Sequence, residues 1–229
     1  MPRKLGIHPI VVGGAIAAVT AVIALAGCSS DAKPTAGAAT APTPAPAANL
    51  AQARVDAFAE VAQRIYAREH ANVVGRTVAS HLPRNAALMR ALATGDRRTI
   101  RAQARKPVIT HEVRIRVTRG PTVLMDAGLP NVVEGAKAQL GVPGAAPVQI
   151  QVSIQDLIGF VKLVDRETGV HTVVREQNGT VQTLFPAAAH QKLPSSGPVT
   201  IKGHSYTARS FGEKDFVGKP LTVWVLEPA

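Results

Sequence analysis

From residue 50 onward the apolar positions recur at helical spacing. Phe58, Val61 and Ile65 share one stripe, and Val74, Val78 and Leu82 continue it after a polar interval, which predicts a long leading helix that Pro83 ends. Asn85 is placed to cap a shorter helix over residues 86–92, Thr94, Gly95 and Asp96 interrupt it, and a third helix restarts over residues 97–106. Beyond Pro107 the period changes to two. Val113, Ile115 and Val117 alternate with Arg114 and Arg116, the chain turns at Arg119, Gly120 and Pro121, and residues 122–126 return, which predicts a β-hairpin.

Residues 127–147 lose the alternation and are rich in Gly and Pro. They are expected to form a covering crossover with at most a short helix near residues 132–140. Strand-like runs follow at 148–154, 160–166, 170–176 and 180–185, with turns at Gly159, Thr168-Gly169 and Asn178-Gly179. Residues 199–201 and 205–210 flank a turn at Gly203-His204, and residues 221–226 supply a last strand. In the run 160–166, alternation sets Phe160, Lys162, Val164 and Arg166 on one side and Val161, Leu163 and Asp165 on the other. Helices come first and strands later without alternating units, so the fold class is α+β with an antiparallel sheet.

The front of the chain follows another pattern. Arg3 and Lys4 precede an apolar run over residues 10–26, the layout of an export signal, with a membrane-spanning helix as the competing reading. Leu25-Ala26-Gly27-Cys28 resembles the lipobox of bacterial lipoproteins. That resemblance implies cleavage before Cys28 and a diacylglyceryl group on its thiol. Cys28 is the one cysteine of the sequence, so no disulfide framework exists. Residues 1–27 then form a lipoprotein signal peptide, and residues 28–49 a flexible tether of Ala, Pro and Thr. Residues 50–229 form one domain, expected on the extracytoplasmic side of the cell membrane through the lipid on Cys28.

Charge narrows the partners. The 229-residue chain carries a net charge of +11; removing residues 1–27 takes away Arg3 and Lys4 and leaves 24 basic against 15 acidic side chains, about +9. Nucleic acid is the usual counterpart of such a balance. Export and only eight aromatic side chains, with no stacking platform, argue against it. An anionic membrane surface, a cell-wall polymer or a small carboxylate fits better. Arg97, Arg101 and Arg105 stand at four-residue spacing on the third helix, either as a solvated face or as a contact for lipid phosphate or an acidic partner.

The element order, with HEVRIRVTRGPTVLMDAG and SIQDLIGFVKLVDRETG, resembles the extracytoplasmic Cache domains, the PAS-like sensor modules of bacterial receptors. The resemblance covers residues 50–227. It implies an antiparallel sheet with a long N-terminal helix packed on one face, and a small organic acid or amino acid bound on the other face under the crossover. Receptors of this group carry a transmembrane helix and a signalling domain after the sensor. The sequence reaches Ala229 before any such segment, so the expectation is a module that acts through a separate membrane signalling protein.

His111-Glu112 has no second histidine at metal-ligand spacing, and no Gly-x-Ser-x-Gly, phosphate-cradling loop or cysteine nucleophile occurs. No catalytic residue, metal or cofactor is therefore expected. Binding has candidates. Arg114 and Arg116 project from the strand face opposite the one packed on the long helix, and paired guanidinium groups can grip a carboxylate. Lys162 and Arg175 are placed to point the same way, Tyr206 to add a hydroxyl, and Asp126 to take an ammonium group. The alternative is an exposed strand face, balanced by Glu112, Asp165 and Glu176. The function expected is a lipid-anchored ligand-binding sensor module, against an envelope interaction module with a degenerate pocket or a lipid carrier.

Overall fold

A computed structural model describes residues 47–71, 80–104, 106 and 114–229. The expected signal segment, residues 28–46 of the expected tether with Cys28, Val74, Val78, Arg105, His111, Glu112 and Val113 lie outside the described residues, and the last three tether residues, 47–49, are helical. Helix α1 (Ala47–His70) turns Val55, Ala59, Ala62, Ile65 and Tyr66 inward, with Phe58 and Val61 at the margin of the same stripe. Helix α2 (Ala86–Thr94) begins where the Asn85 side chain accepts the Leu88 N–H at 3.0 Å, as the sequence predicts. It stops at Gly95, whose left-handed backbone (φ 75°) would strain other residues. Helix α3 (Arg97–Ala104) restarts on Asp96, which accepts the N–H groups of Arg98 and Thr99.

The predicted hairpin forms β1 (Arg114–Arg119) and β2 (Thr122–Gly128), followed by β3 (Ala136–Val142) and β4 (Ala145–Ser153). Together they make an antiparallel sheet in the order β2-β1-β4-β3. After helix α4 (Leu157–Thr168) come β5 (His171–Glu176), β6 (Val181–Thr183), β7 (Ser196–Ile201), β8 (His204–Lys214) and β9 (Pro220–Pro228). These pair in the order β6-β5-β9-β8-β7. The fold is α+β, and the five-stranded antiparallel sheet carries the long N-terminal helix on one face.

Three expectations are corrected. The run at 160–166 is helix, not strand. Leu157, Phe160, Val161 and Val164 recur at the spacing of one helical face and are all fully buried. Asp156 caps the first turn by accepting the Gly159 N–H at 2.8 Å, and Gly169 (φ 72°) ends the last. Gly159 is therefore inside the first turn of a helix and makes no hairpin. Secondly, residues 132–140 hold no helix: Val132 and Val133 make single bridges to Asp156 and Asp215, and β3 follows. The small side chains of Ala136 and Ala138 and the glycine at 141 concealed a period of two that ends on Leu140 and Val142. The expected crossover is thus an edge hairpin within a second sheet. Thirdly, the apolar face of β1 does not pack on α1. Ile115 and Val117 meet Leu88, Leu92, Ile100 and Ala104 of α2 and α3. Helix α1 instead packs with α4 on Leu221, Val223 and Val225 of β9.

Candidate functional site

Because side chains alternate across a strand, burying Ile115, Val117, Ile150 and Val152 turns their neighbours to the opposite face. The register then lines up one polar residue from each strand. Asp126 of β2 pairs with Arg116 of β1, Arg116 with Gln151 of β4, and Gln151 with Lys137 of β3. Arg114 and Ser153 flank this row on one side, Thr118 and Gln149 on the other. The central row of this face is polar on all four strands.

One turn from the other sheet rests on that face. Between β8 and β9, Asp215 accepts the N–H groups of Val217 (2.9 Å) and Lys219 (2.7 Å), which tightens the turn and presents Phe216 inward. The Phe216 ring is buried, its carbonyl accepts the Gln151 amide at 2.7 Å, and its N–H donates to Val132 at 3.2 Å. The Arg114 guanidinium carbon lies 4.9 Å from the Phe216 ring centroid, a cation–π contact.

Clefts open on both sides of this turn. The smaller, about 160 Å³, is lined by Arg116, Thr118, Lys137, Gln149, Gln151 and Phe216. The larger, about 400 Å³, has Arg114, Asn131, Glu176, Asn178, Asp215 and Lys219 on its walls. Val217 borders both.

The two arginines of β1 differ in what they have left to offer. Arg114 donates from Nε and Nη2 to the two oxygens of Asp126 (2.8 and 3.0 Å), and from Nη1 to the Pro130 carbonyl (2.8 Å). Three of its five N–H donors are engaged, and it fixes Asp126. Arg116 Nε is 3.8 Å from Asp126, buried, and without a hydrogen-bond partner. An unsatisfied buried donor costs the fold about 1–3 kcal/mol. The partly exposed guanidinium lies on the wall of the smaller cleft, with Lys137 across the row as a second cation. Lys137 also bonds Glu134 at 2.7 Å.

The structure brings Arg114, Arg116 and Asp126 together and leaves the other three candidates elsewhere. Lys162 is exposed on α4, because the segment is helical and its apolar stripe faces inward. Arg175 lies over the Trp224 ring at 5.0 Å and donates to the carbonyls of Ala188 (3.0 Å), Ala189 (3.3 Å) and Gln191, tying down the loop after β6. Burial lowers its pKa. Tyr206 is buried beside His171 and Phe185, within an apolar cluster that includes Val173, Leu193 and Leu226. Asp126 is engaged by Arg114, so its carboxylate is not free for an ammonium group.

Sequence reasoning missed Gln149, Gln151, Lys137 and Phe216. The alternation of Val148, Ile150 and Val152 with Gln149, Gln151 and Ser153 carried the signal for the first two. Glu176 was read only as a balancing charge. Burial pushes its carboxyl above the ordinary glutamate value, the Asn178 amide at 3.2 Å opposes this, and Asp215 adds to it.

No family model matches the chain, and no curated protein matches it. Among solved structures it is similar to the periplasmic domain of Vibrio cholerae LuxQ, with 8% identity and a TM-score of 0.37 over 80% of this chain and 100% of that one. A selenomethionine crystal structure of the same domain gives 8% identity and a TM-score of 0.35, covering 80% of this chain and 98% of that one. At these values function rests on this chain's own side chains.

Proposed function

We propose that the chain is a lipid-anchored extracytoplasmic ligand-binding sensor module for a small organic acid or amino acid, and that it reports through a separate membrane protein. The observation that carries the binding step is the Arg116 guanidinium on the wall of a polar cleft that Lys137, Gln149 and Gln151 also line, with an Nε that makes no hydrogen bond and has only a 3.8 Å ion pair to Asp126. A carboxylate there would accept from Arg116, a charge-assisted bond worth more than a neutral one. The export-signal layout and the Cys28 motif support the anchor and the location. Among the described residues no helix is long and apolar enough to cross a membrane. Charged and amide side chains on the walls of both clefts favour a polar ligand over an acyl chain.

A thermal-shift screen of small organic acids and amino acids tests the reading. One chemical class should raise the melting temperature of the wild-type protein, and Arg116→Ala should abolish that rise. No stabilisation by any of these compounds, or an equal rise in the Ala variant, would remove the Arg116 site.

A further inference from the structure

A second surface lies on the other side of the four-stranded sheet's helices. Helix α3 buries only Ile100 and Ala104, so Arg97, Arg98 and Arg101 stay exposed along one side of it. Spacings of three and four residues bring Arg101 beside both of the others. They rim a groove of about 570 Å³ whose floor includes Val123 and Leu124 of β2. Val123 is 37% exposed, an apolar side chain left in water beside three cations.

None of the three guanidinium groups has an ion-pair or hydrogen-bond partner among the described residues. Of the nearby acids, Asp96 also interacts electrostatically with Arg98. Asp96 caps α3 through the N–H groups of Arg98 and Thr99 and the Thr99 hydroxyl, and Asp126, on the groove wall, is held by Arg114 through two bonds. The groove therefore combines an excess of arginines with exposed aliphatic carbon, the chemistry of a surface that meets phosphate headgroups over an acyl boundary.

We infer that this groove docks on the anionic headgroups of the membrane. Charge complementarity supports that occupant, and so does the anchor predicted at Cys28, which would keep the domain beside a bilayer. The inference rests on that part of the proposed function only for its setting. Its test does not use the anchor.

The chain from residue 28 onward, carrying Cys28→Ser so that no lipid is added, is sedimented with two kinds of vesicle. One is phosphatidylcholine alone, and the other is three parts phosphatidylcholine to one part phosphatidylglycerol. The chain should partition onto the anionic vesicles at low salt and leave them as salt rises. Arg97→Gln, Arg98→Gln and Arg101→Gln together should lower the partition coefficient about a hundredfold. The same charge removed at three exposed positions elsewhere, Arg166→Gln, Lys192→Gln and Lys202→Gln, should lower it far less. Equal partition onto both vesicle types, or equal losses in the two triple variants, would overturn the inference. So would an absence of vesicle binding in a chain that instead binds a poly-glutamate peptide through these arginines, which would assign the groove to an acidic protein. A failed carboxylate screen at Arg116 leaves this result untouched.

Discussion

The five-stranded sheet uses both faces for apolar packing, whereas the four-stranded sheet uses one. On the first, Leu221, Val223 and Val225 meet α1 and α4, and on the reverse Val173, Ala208 and Leu226 meet Ala188, Leu193 and Phe185 of the loop between β6 and β7. The side on which a ligand was expected, Tyr206 included, is filled by the protein's own side chains. On the second sheet the reverse face carries Asp126, Arg116, Gln151 and Lys137, covered in part by a single inserted aromatic ring. A closed apolar face stabilises the fold and leaves no space. A polar face that is half covered, with a buried donor unsatisfied, gives up stability and retains a capacity to bind.

Substitutions should separate the two regions. Leu226→Ala, in the filled face, should cost about 2–5 kcal/mol in chemical denaturation, because the side chain is fully buried among fixed neighbours. A cost below 1 kcal/mol would mean that this face is loosely packed and open to a ligand. Asp156→Ala should cost about 1 kcal/mol by removing the N-cap of α4, which covers the opposite face of the same sheet. If the segment were a strand, the change would be nearly neutral.

That helix shows how local signals were misread. Leu157, Phe160, Val161 and Val164 were visible as a helical face, and Asp156 stands three residues before Gly159, whose N–H it accepts. Two glycines at Gly159 and Gly169, with Val161 and Val164 between them, imitated a strand bounded by turns. The charges at Lys162 and Asp165 fell on both sides under a period of two, a sign that this period was wrong. The hairpin with Arg114, Arg116 and Asp126 was legible because alternation in β1 is strict. The division into two sheets was not, since β3 is built on Ala136, Ala138 and Gly141. Nor was the seating of Phe216 on Gln151, a contact 65 residues apart that no local pattern encodes.

At the polar face the expected sign reverses. Arg116→Met should leave stability unchanged or raise it by up to about 1 kcal/mol, since it removes an unsatisfied buried donor while keeping the aliphatic stem. A loss of several kcal/mol would make Arg116 a structural residue, and the contrast between the sheets would fail.

The smallest effect is expected where the two regions meet. Glu213 of β8 has its carboxyl raised above the ordinary glutamate value by burial first and by Glu134 second, with His70 opposing. A raised acid binds its proton more tightly in the folded chain. Its contribution to stability is complete below the ordinary glutamate value and is lost as pH rises through the raised one. Glu213→Gln should therefore gain stability relative to wild type on going from acid to neutral pH, measured by melting curves across that range. A difference that does not change with pH would show that Glu213 is freely solvated.

The central claim is that Arg116, whose Nε makes no hydrogen bond, and not Arg114, held by Asp126 and Pro130, or the filled face around Tyr206, receives the ligand. Nitrogen-15 NMR of the arginine Nε–H groups, with acetate, succinate and glutamate titrated in turn, tests it most directly. One of these acids should move the Arg116 Nε–H resonance in a saturable way while Arg114 and Arg175 stay in place. Arg116 unmoved by all three, or a saturable response centred on Arg175, would contradict it.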